Sequence, residues 1–243
     1  MSAREHAGGA MRAAVVVFPG SNSDHEAWHV VHNVLGQPAE LVWHKETTLD
    51  GFDVVILPGG FAHGDYLRAG AIARFSPIMA AVERHAARGG VVLGICNGFQ
   101  VLTEAGLLPG VLMRNKDISF ISRDAWVRVE NETTRLTMAC RKGEVLRIPI
   151  AHGEGRYVAD PPLLDRLEKE GRILLRYCGP RGEIDDRFNV NGSERAIAGI
   201  MNERGNVFGL MPHPERDAEP IVGLGQGRQL FASLLESFRR AAA

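Results

Sequence analysis

Three short runs, residues 13–18 (Ala-Ala-Val-Val-Val-Phe), 54–57 (Val-Val-Ile-Leu) and 91–95 (Val-Val-Leu-Gly-Ile), are apolar from end to end and stop at glycine-bearing turns. No other feature constrains the fold so tightly. A strand with one wet face alternates apolar and polar residues, whereas an unbroken apolar strand must be covered on both faces. The segments between the runs have helical character. A helix is expected over 24–35 behind a Ser23 or Asp24 cap. Another is expected over 71–88, where Ile72, Phe75, Met79 and Val82 recur at helical spacing before Gly89-Gly90. Residues 40–43 read as a further strand. The alternation predicts an α/β fold: a mostly parallel open sheet with helices on both faces.

The second half reads differently. Short strands are expected at 125–130, 135–138, 145–150, 173–177, 197–201 and 207–210, with an amphipathic helix over 229–240 closing the chain. No repeat, low-complexity tract or linker divides it, so residues 11–243 are expected to form a single domain. Residues 1–10 are polar, lack the apolar core of a signal peptide and read as a disordered extension, with Met11 an alternative start. A net charge of -1 offers no footprint for nucleic acid or an anionic membrane. No apolar run approaches the roughly 20 residues of a membrane helix. Cys96, Cys140 and Cys178 are widely spaced and odd in number, which points to a reducing cytoplasm and away from a disulfide framework.

Chemistry concentrates at strand ends, where open parallel sheets bind ligands. Gly94-Ile95-Cys96-Asn97-Gly98 follows a strand directly and has the nucleophile-elbow pattern, with sulfur in place of a serine hydroxyl. Side chains at Gly94 or Gly98 would collide across so sharp a turn. Cys96 would then sit at a helix N-terminus, where unpaired N–H groups favour a thiolate. Taken alone, it also fits a buried structural cysteine. Pro58-Gly59-Gly60 lies at the equivalent end of the neighbouring strand, and one of these glycine N–H groups, with that of Asn97, can form an oxyanion hole. In Met211-Pro212-His213-Pro214-Glu215-Arg216, residues before proline are pushed into extended backbone, so His213 and Glu215 should project to one side as base and orienting group. The bland alternative is a solvated proline-rich turn.

Together, Gly94-Ile95-Cys96-Asn97-Gly98-Phe99-Gln100 and His213-Pro214-Glu215 resemble the class I (triad) glutamine amidotransferases. Pro58-Gly59-Gly60-Phe61, the stretch from Gly64 to Gly70 beginning Gly-Asp-Tyr-Leu-Arg, and Ile148-Pro149-Ile150-Ala151-His152-Gly153-Glu154-Gly155 narrow the resemblance, as does the stretch from Gly199 to Val207. They are similar to the subgroup of glutaminase subunits of phosphoribosylformylglycinamidine synthases, enzymes of purine biosynthesis. The resemblance implies a flavodoxin-like core. It implies that Cys96 attacks the side-chain amide of glutamine to form a thioester, that Gly60 and Asn97 hold the oxyanion, and that His213, oriented by Glu215, moves protons. Gly59, Gln100, His152, Gly153 and Glu154 would contact the substrate.

Ammonia would pass to a large synthetase subunit, with or without a small third subunit, that converts formylglycinamide ribonucleotide to formylglycinamidine ribonucleotide. ATP and Mg are expected on that partner, and no cofactor or metal in this chain. It has no G-x-x-x-x-G-K-[ST] loop, and Gly223-Leu224-Gly225-Gln226-Gly227 reads as a connecting loop. Two departures stand out: Ser23 where the subgroup often has Cys, expected to lie away from the chemistry, and Ala62-His63 in place of Ser-Tyr beside the pocket entrance.

Two rival readings remain. His25-Glu26-Ala27-Trp28-His29 matches the H-E-x-x-H zinc-protease signature, with His32 or His44 as a third ligand, although no H-x-x-G-x-x-H extension follows. The other is a non-catalytic scaffold of the same fold, against which the presence of all three triad residues argues.

Overall fold

The structure, a computed structural model, describes residues 10–242, so the expected N-terminal extension lies almost wholly outside the described residues. The apolar runs become β1 (Ala13–Val17), β3 (Val54–Leu57) and β4 (Val91–Ile95), with β2 (Ala39–Trp43) at one edge. Between them lie α1 (Asp24–His29), prolonged by a π-helical turn at Val30–Val34, and α2 (Pro77–Ala87). After β4 come α3 (Asn97–Glu104), β5 (Val111–Met113), β6 (Ile121–Val129), β7 (Val145–His152), β8 (Arg156–Val158) and α4 (Pro161–Lys169). β9 (Ile173–Tyr177), β10 (Ile197–Met201), β11 (Val207–Leu210) and α5 (Arg228–Ala242) complete the order.

Nine strands form one sheet in the order β2-β1-β3-β4-β11-β10-β9-β6-β7. From β2 to β11 every pairing is parallel, in the flavodoxin-like order. From β11 outward every pairing is antiparallel. β3, β4 and β11 are buried at every position, while the inner half of β6 alternates buried and half-buried. Each such buried Val, Ile or Leu contributes about 1.5–3 kcal/mol, which makes these three strands the centre of the core. α3 packs over β3, β4 and β11, and α1 over β1 and β2.

Three differences from the sequence reading have local causes. The helix expected over 71–88 starts at Pro77, because a residue before proline is driven from the helical region: Ser76 has ψ 142° and a separate 3₁₀ turn, Ala73–Phe75, precedes it. Phe75, assigned to the buried face, is 75% exposed as a result. Residues 135–138 form turns and no strand, held by a Thr134–Thr137 hydroxyl pair at 2.7 Å and by Ala139 N–H donating to Ser233 Oγ at 2.9 Å. The β5–β8 ribbon and α4 went unforeseen; α4 is capped by Asp160, whose carboxylate accepts from Leu163 N–H at 2.9 Å.

Candidate active site

β4 delivers Cys96 into a turn that only small neighbours allow. Cys96 has φ 50° and ψ -104°, a left-handed backbone that costs a non-glycine residue about 1–3 kcal/mol. A Cβ on Gly98 would run into the Leu57 carbonyl, and one on Gly94 would lie 2.7 Å from the Gly98 backbone. Cys96 N–H donates to Leu210 O at 2.6 Å, tying the elbow to the end of β11, and its thiol points to Ala151 O at 3.7 Å. The neighbouring Gly60 has φ 149°, and a Cβ there would meet Gly20 O at 2.6 Å. Neither the Gly60 nor the Asn97 N–H donates to an acceptor among the described residues, so both are available to an oxyanion.

The base arrives from β11, by a route other than the extended one expected. Pro214–Asp217 is a 3₁₀ turn, and it is this turn that carries Glu215 back onto His213. Nδ1 of His213 lies 2.5 Å from Glu215 Oε1, with both side chains closed to solvent. Burial pushes the His213 pKa down, but the Glu215 carboxylate and the Cys96 sulfur outweigh it, and the ring holds its proton well above the usual histidine range. His213 N–H donates to Pro149 O at 2.8 Å, which anchors the base to β7.

The glycine-rich loop has a purpose the sequence did not reveal. Its amides at Leu224, Gly225 and Gln226 wrap the buried carboxylate of Asp217 at 2.6–3.1 Å and so hold the turn that carries the triad pair. Gly59 faces the His213 ring, since a Cβ there would sit 2.6 Å from Cε1; it does not line the cleft. Ser23 touches the same spot. It is fully buried with an unpartnered hydroxyl 2.7 Å from that Cβ position, much nearer the triad than expected.

Cys96 opens into a cleft of about 190 Å³, with Gly60 and Gln100 on one side and Ala151 to Glu154 on the other. Phe61 and Phe120, stacked at 6.3 Å, guard its mouth. The Gln100 side chain is engaged at both ends: Nε2 donates to Glu154 O at 2.5 Å and Oε1 accepts from Asn97 Nδ2 at 2.9 Å. It therefore braces the far wall as well as lining the cleft. His152 donates from Nδ1 to Asn115 Oδ1 at 3.1 Å. Burial and nearby His213 push its pKa down to about 4, which keeps it neutral.

Asn115 and Asp65 were missed by sequence reasoning. Asn115 also binds His152 O, Ser119 O and Gly155 N–H, fixing the 152–155 corner. Asp65 lines the cleft and accepts from Asn97 Nδ2 at 3.1 Å. The signal for Asp65 was its place in the Gly64-Asp65-Tyr66 motif.

The CobB/CobQ-like glutamine amidotransferase domain matches residues 10–224. The phosphoribosylformylglycinamidine synthase subunit PurQ of Salinibacter ruber is 57% identical over 224 residues, covering 92% of this chain and 95% of that one. The chain belongs to the PurQ family of glutamine amidotransferases. Its Gloeobacter violaceus relative is 56% identical over 93% of this chain and 98% of its own. Among solved structures, a chain of PurLQS from Thermotoga maritima superposes with TM-score 0.82 at 43% identity, covering 94% of this chain and 99% of that one. A putative GMP synthase subunit from Thermoplasma acidophilum shares the fold at 16% identity and TM-score 0.61.

PurQ membership leaves the two local peculiarities to be placed. The Ala62 N–H donates to Asn97 Oδ1 at 3.0 Å, and His63 turns away toward Ser76 Oγ at 3.3 Å and the His44 ring, so neither lines the cleft. In the H-E-x-x-H stretch, His25 is exposed, and His29 donates from Nε2 to Glu219 at 2.7 Å while Nδ1 accepts from Asn33 at 2.8 Å. His32 stacks on Trp28, and His44 bonds Ser76. Among the described residues no three His, Cys, Asp or Glu side chains converge as a metal site, so the motif assembles no zinc ligands.

Proposed function

We propose that Cys96, His213 and Glu215 perform the glutamine hydrolysis of this PurQ-family subunit. The observation that carries the assignment is the solvent-excluded His213–Glu215 pair beside a cysteine held in strained backbone at the floor of a cleft. The Cys96 thiolate attacks the side-chain amide carbon of glutamine, and the oxyanion takes hydrogen bonds from the Gly60 and Asn97 N–H groups. Such donors are each worth about 2.7–4 kcal/mol in the transition state. His213, holding a proton, gives it to the departing nitrogen, and ammonia leaves. The neutral ring then takes a proton from water as that water attacks the thioester, releasing glutamate and restoring the thiolate–imidazolium pair. Glu215 keeps Nδ1 protonated and Nε2 facing the sulfur. Gln100, His152, Gly153 and Glu154 position the substrate, and Gly59 acts by making room for His213.

The chain is a glutaminase that feeds ammonia to a synthetase partner in purine biosynthesis. Internal transfer suits the chemistry, because free ammonia at neutral pH is mostly non-nucleophilic ammonium. The partner reading rests on the PurLQS relative and on the resemblance: a large synthetase, with or without a small third subunit, with ATP and Mg on that partner. Exposed Phe61 and Phe120 at the cleft, with exposed Leu67 and Ile118 along the adjoining groove, give such a partner an apolar seat. Residues 11–243 act as one amidotransferase domain. No helix among the described residues is long and apolar enough to cross a membrane, and three buried free cysteines suit a reducing cytoplasm.

Ammonia release from glutamine, with and without the synthetase, tests the assignment. Cys96→Ala should lower kcat by at least about 10⁴-fold. The chain alone should be a poor glutaminase that the partner activates. Wild-type turnover by the alanine variant would refute the nucleophile, and inactivity of the wild-type complex would favour the scaffold reading.

A further inference from the structure

The cleft over Cys96 holds two carboxylates, Asp65 and Glu154, and neither Lys nor Arg is among the residues lining it. His152 lines it as well. It is 3% exposed, it is neutral, and its Nδ1–H is committed to Asn115, which leaves Nε2 an unpartnered lone pair.

The two carboxylates are not equivalent. Glu154 has the Arg114 guanidinium 3.6 Å from Oε1 and the Ala69 N–H 3.4 Å from Oε2. Asp65 has only the uncharged amide of Asn97, and among the described residues no cation pairs with it. Burial raises its carboxyl pKa to about 6; Asn97 opposes the rise and Glu154 adds to it. An anion taken out of water with no counter-charge is costly. The backbone that presents it is costly too, with φ 55° at His63, 51° at Asp65 and 70° at Leu67. A ligand cation resolves the imbalance.

We propose that Asp65 recognises the α-ammonium group of the amino-acid substrate and is the specificity residue that separates free glutamine from amides lacking that group. The inference rests on the glutaminase reading above. The adjoining groove, which shares Glu154, is lined by Arg114, Lys116 and Arg156. A zwitterion with its ammonium on Asp65 turns its carboxylate toward those cations and its side-chain amide toward Cys96.

The test compares the wild-type complex with Asp65→Asn, assayed for ammonia release from glutamine and from glutaramate, which is glutamine without its α-amino group. Asparagine keeps an oxygen to accept from Asn97 and removes only the charge. The wild type should prefer glutamine by about 10–100-fold in kcat/KM, and in Asp65→Asn that ratio should fall at least about tenfold, mainly through KM for glutamine. A wild type that does not discriminate overturns the proposal. So does a variant whose loss is equal on both substrates, the mark of a structural role, or one that loses nothing. A wild-type complex inactive on both would bring down the glutaminase reading itself, and that result is distinguishable from the others.

Discussion

The two halves of the sheet divide the work. The parallel half, β2 to β11, supplies the groups proposed to react: Cys96 and Gly60 follow adjacent strands, and His213 leaves the next one. The antiparallel half supplies the opposite wall of the cleft, the one proposed to hold the substrate, since Ala151 to Glu154 run off the end of β7. In the first, the central strands β3, β4 and β11 are buried at every position, although the edge strand β2 is not, and the elbow backbone is strained. In the second, the outer strands β6 and β7 are partly wet and tied by ion pairs such as Arg147–Asp124. A strained nucleophile needs surroundings too stiff to relax it, and fully buried parallel strands provide them. Substrate contacts demand polar groups and shape, which a half-solvated sheet can carry at low cost.

The contrast is open to attack at several points. Gly98→Ala should do most harm, because the new methyl meets the Leu57 carbonyl, which belongs to β3 and cannot move. A loss of at least about 3 kcal/mol in denaturant unfolding is expected; a loss near zero would mean the parallel half is softer than its packing implies. Glu215→Gln comes next, with kcat lower by about 10²-fold or more and binding little changed.

The same variant reports on pH. Burial lowers the His213 pKa, Glu215 and Cys96 raise it more, and the net folded value is about 10 against 6.5. The stability His213 contributes is therefore complete below pH 6.5 and is lost as pH rises toward about 10. Melting temperatures across that window should decline in the wild type and flatten in Glu215→Gln.

Asp65→Asn sharpens the comparison at the boundary between the halves. A folded pKa of about 6 against 3.8 means the folded state binds the proton more tightly, so stability falls as pH rises between those values. Removing the charge should then stabilise the protein at pH 7–8 by about 1 kcal/mol, allowing for solvent screening of a half-buried group. Arg147→Ala should matter least. Its pair with Asp124 is exposed on the antiparallel half, so about 0.5 kcal/mol or less and unchanged kcat are expected.

Much of this was legible in the residues. Val54–Leu57 and Val91–Ile95 read as doubly covered strands, and the glycines around Cys96 announced an elbow whose steric reason the structure repeats. Where the reading failed, a single local preference had been overlooked or overruled. Pro77 cut a periodic segment that hydrophobic spacing alone made one helix. The β5–β8 ribbon has three-residue strands, too short for any periodicity to register. Ser23 seemed remote from the chemistry because sequence carries no hint that Gly59 brings it and His213 to one point.

By itself the sequence determined the order of the parallel-half strands, the glycine-flanked cysteine proposed as nucleophile and the residues proposed as its base, because periodicity, glycine and proline act over a few neighbouring residues. Only the tertiary structure decided that the second-half strands extend the same sheet antiparallel and that a 3₁₀ turn, with no extended chain, presses Glu215 onto His213. It alone decided that Asp65, from a loop far from both, stands in the cleft over Cys96 with no cation paired to it among the described residues. Charge balance and burial are sums over groups distant in the chain, and those sums exist only once the chain has closed.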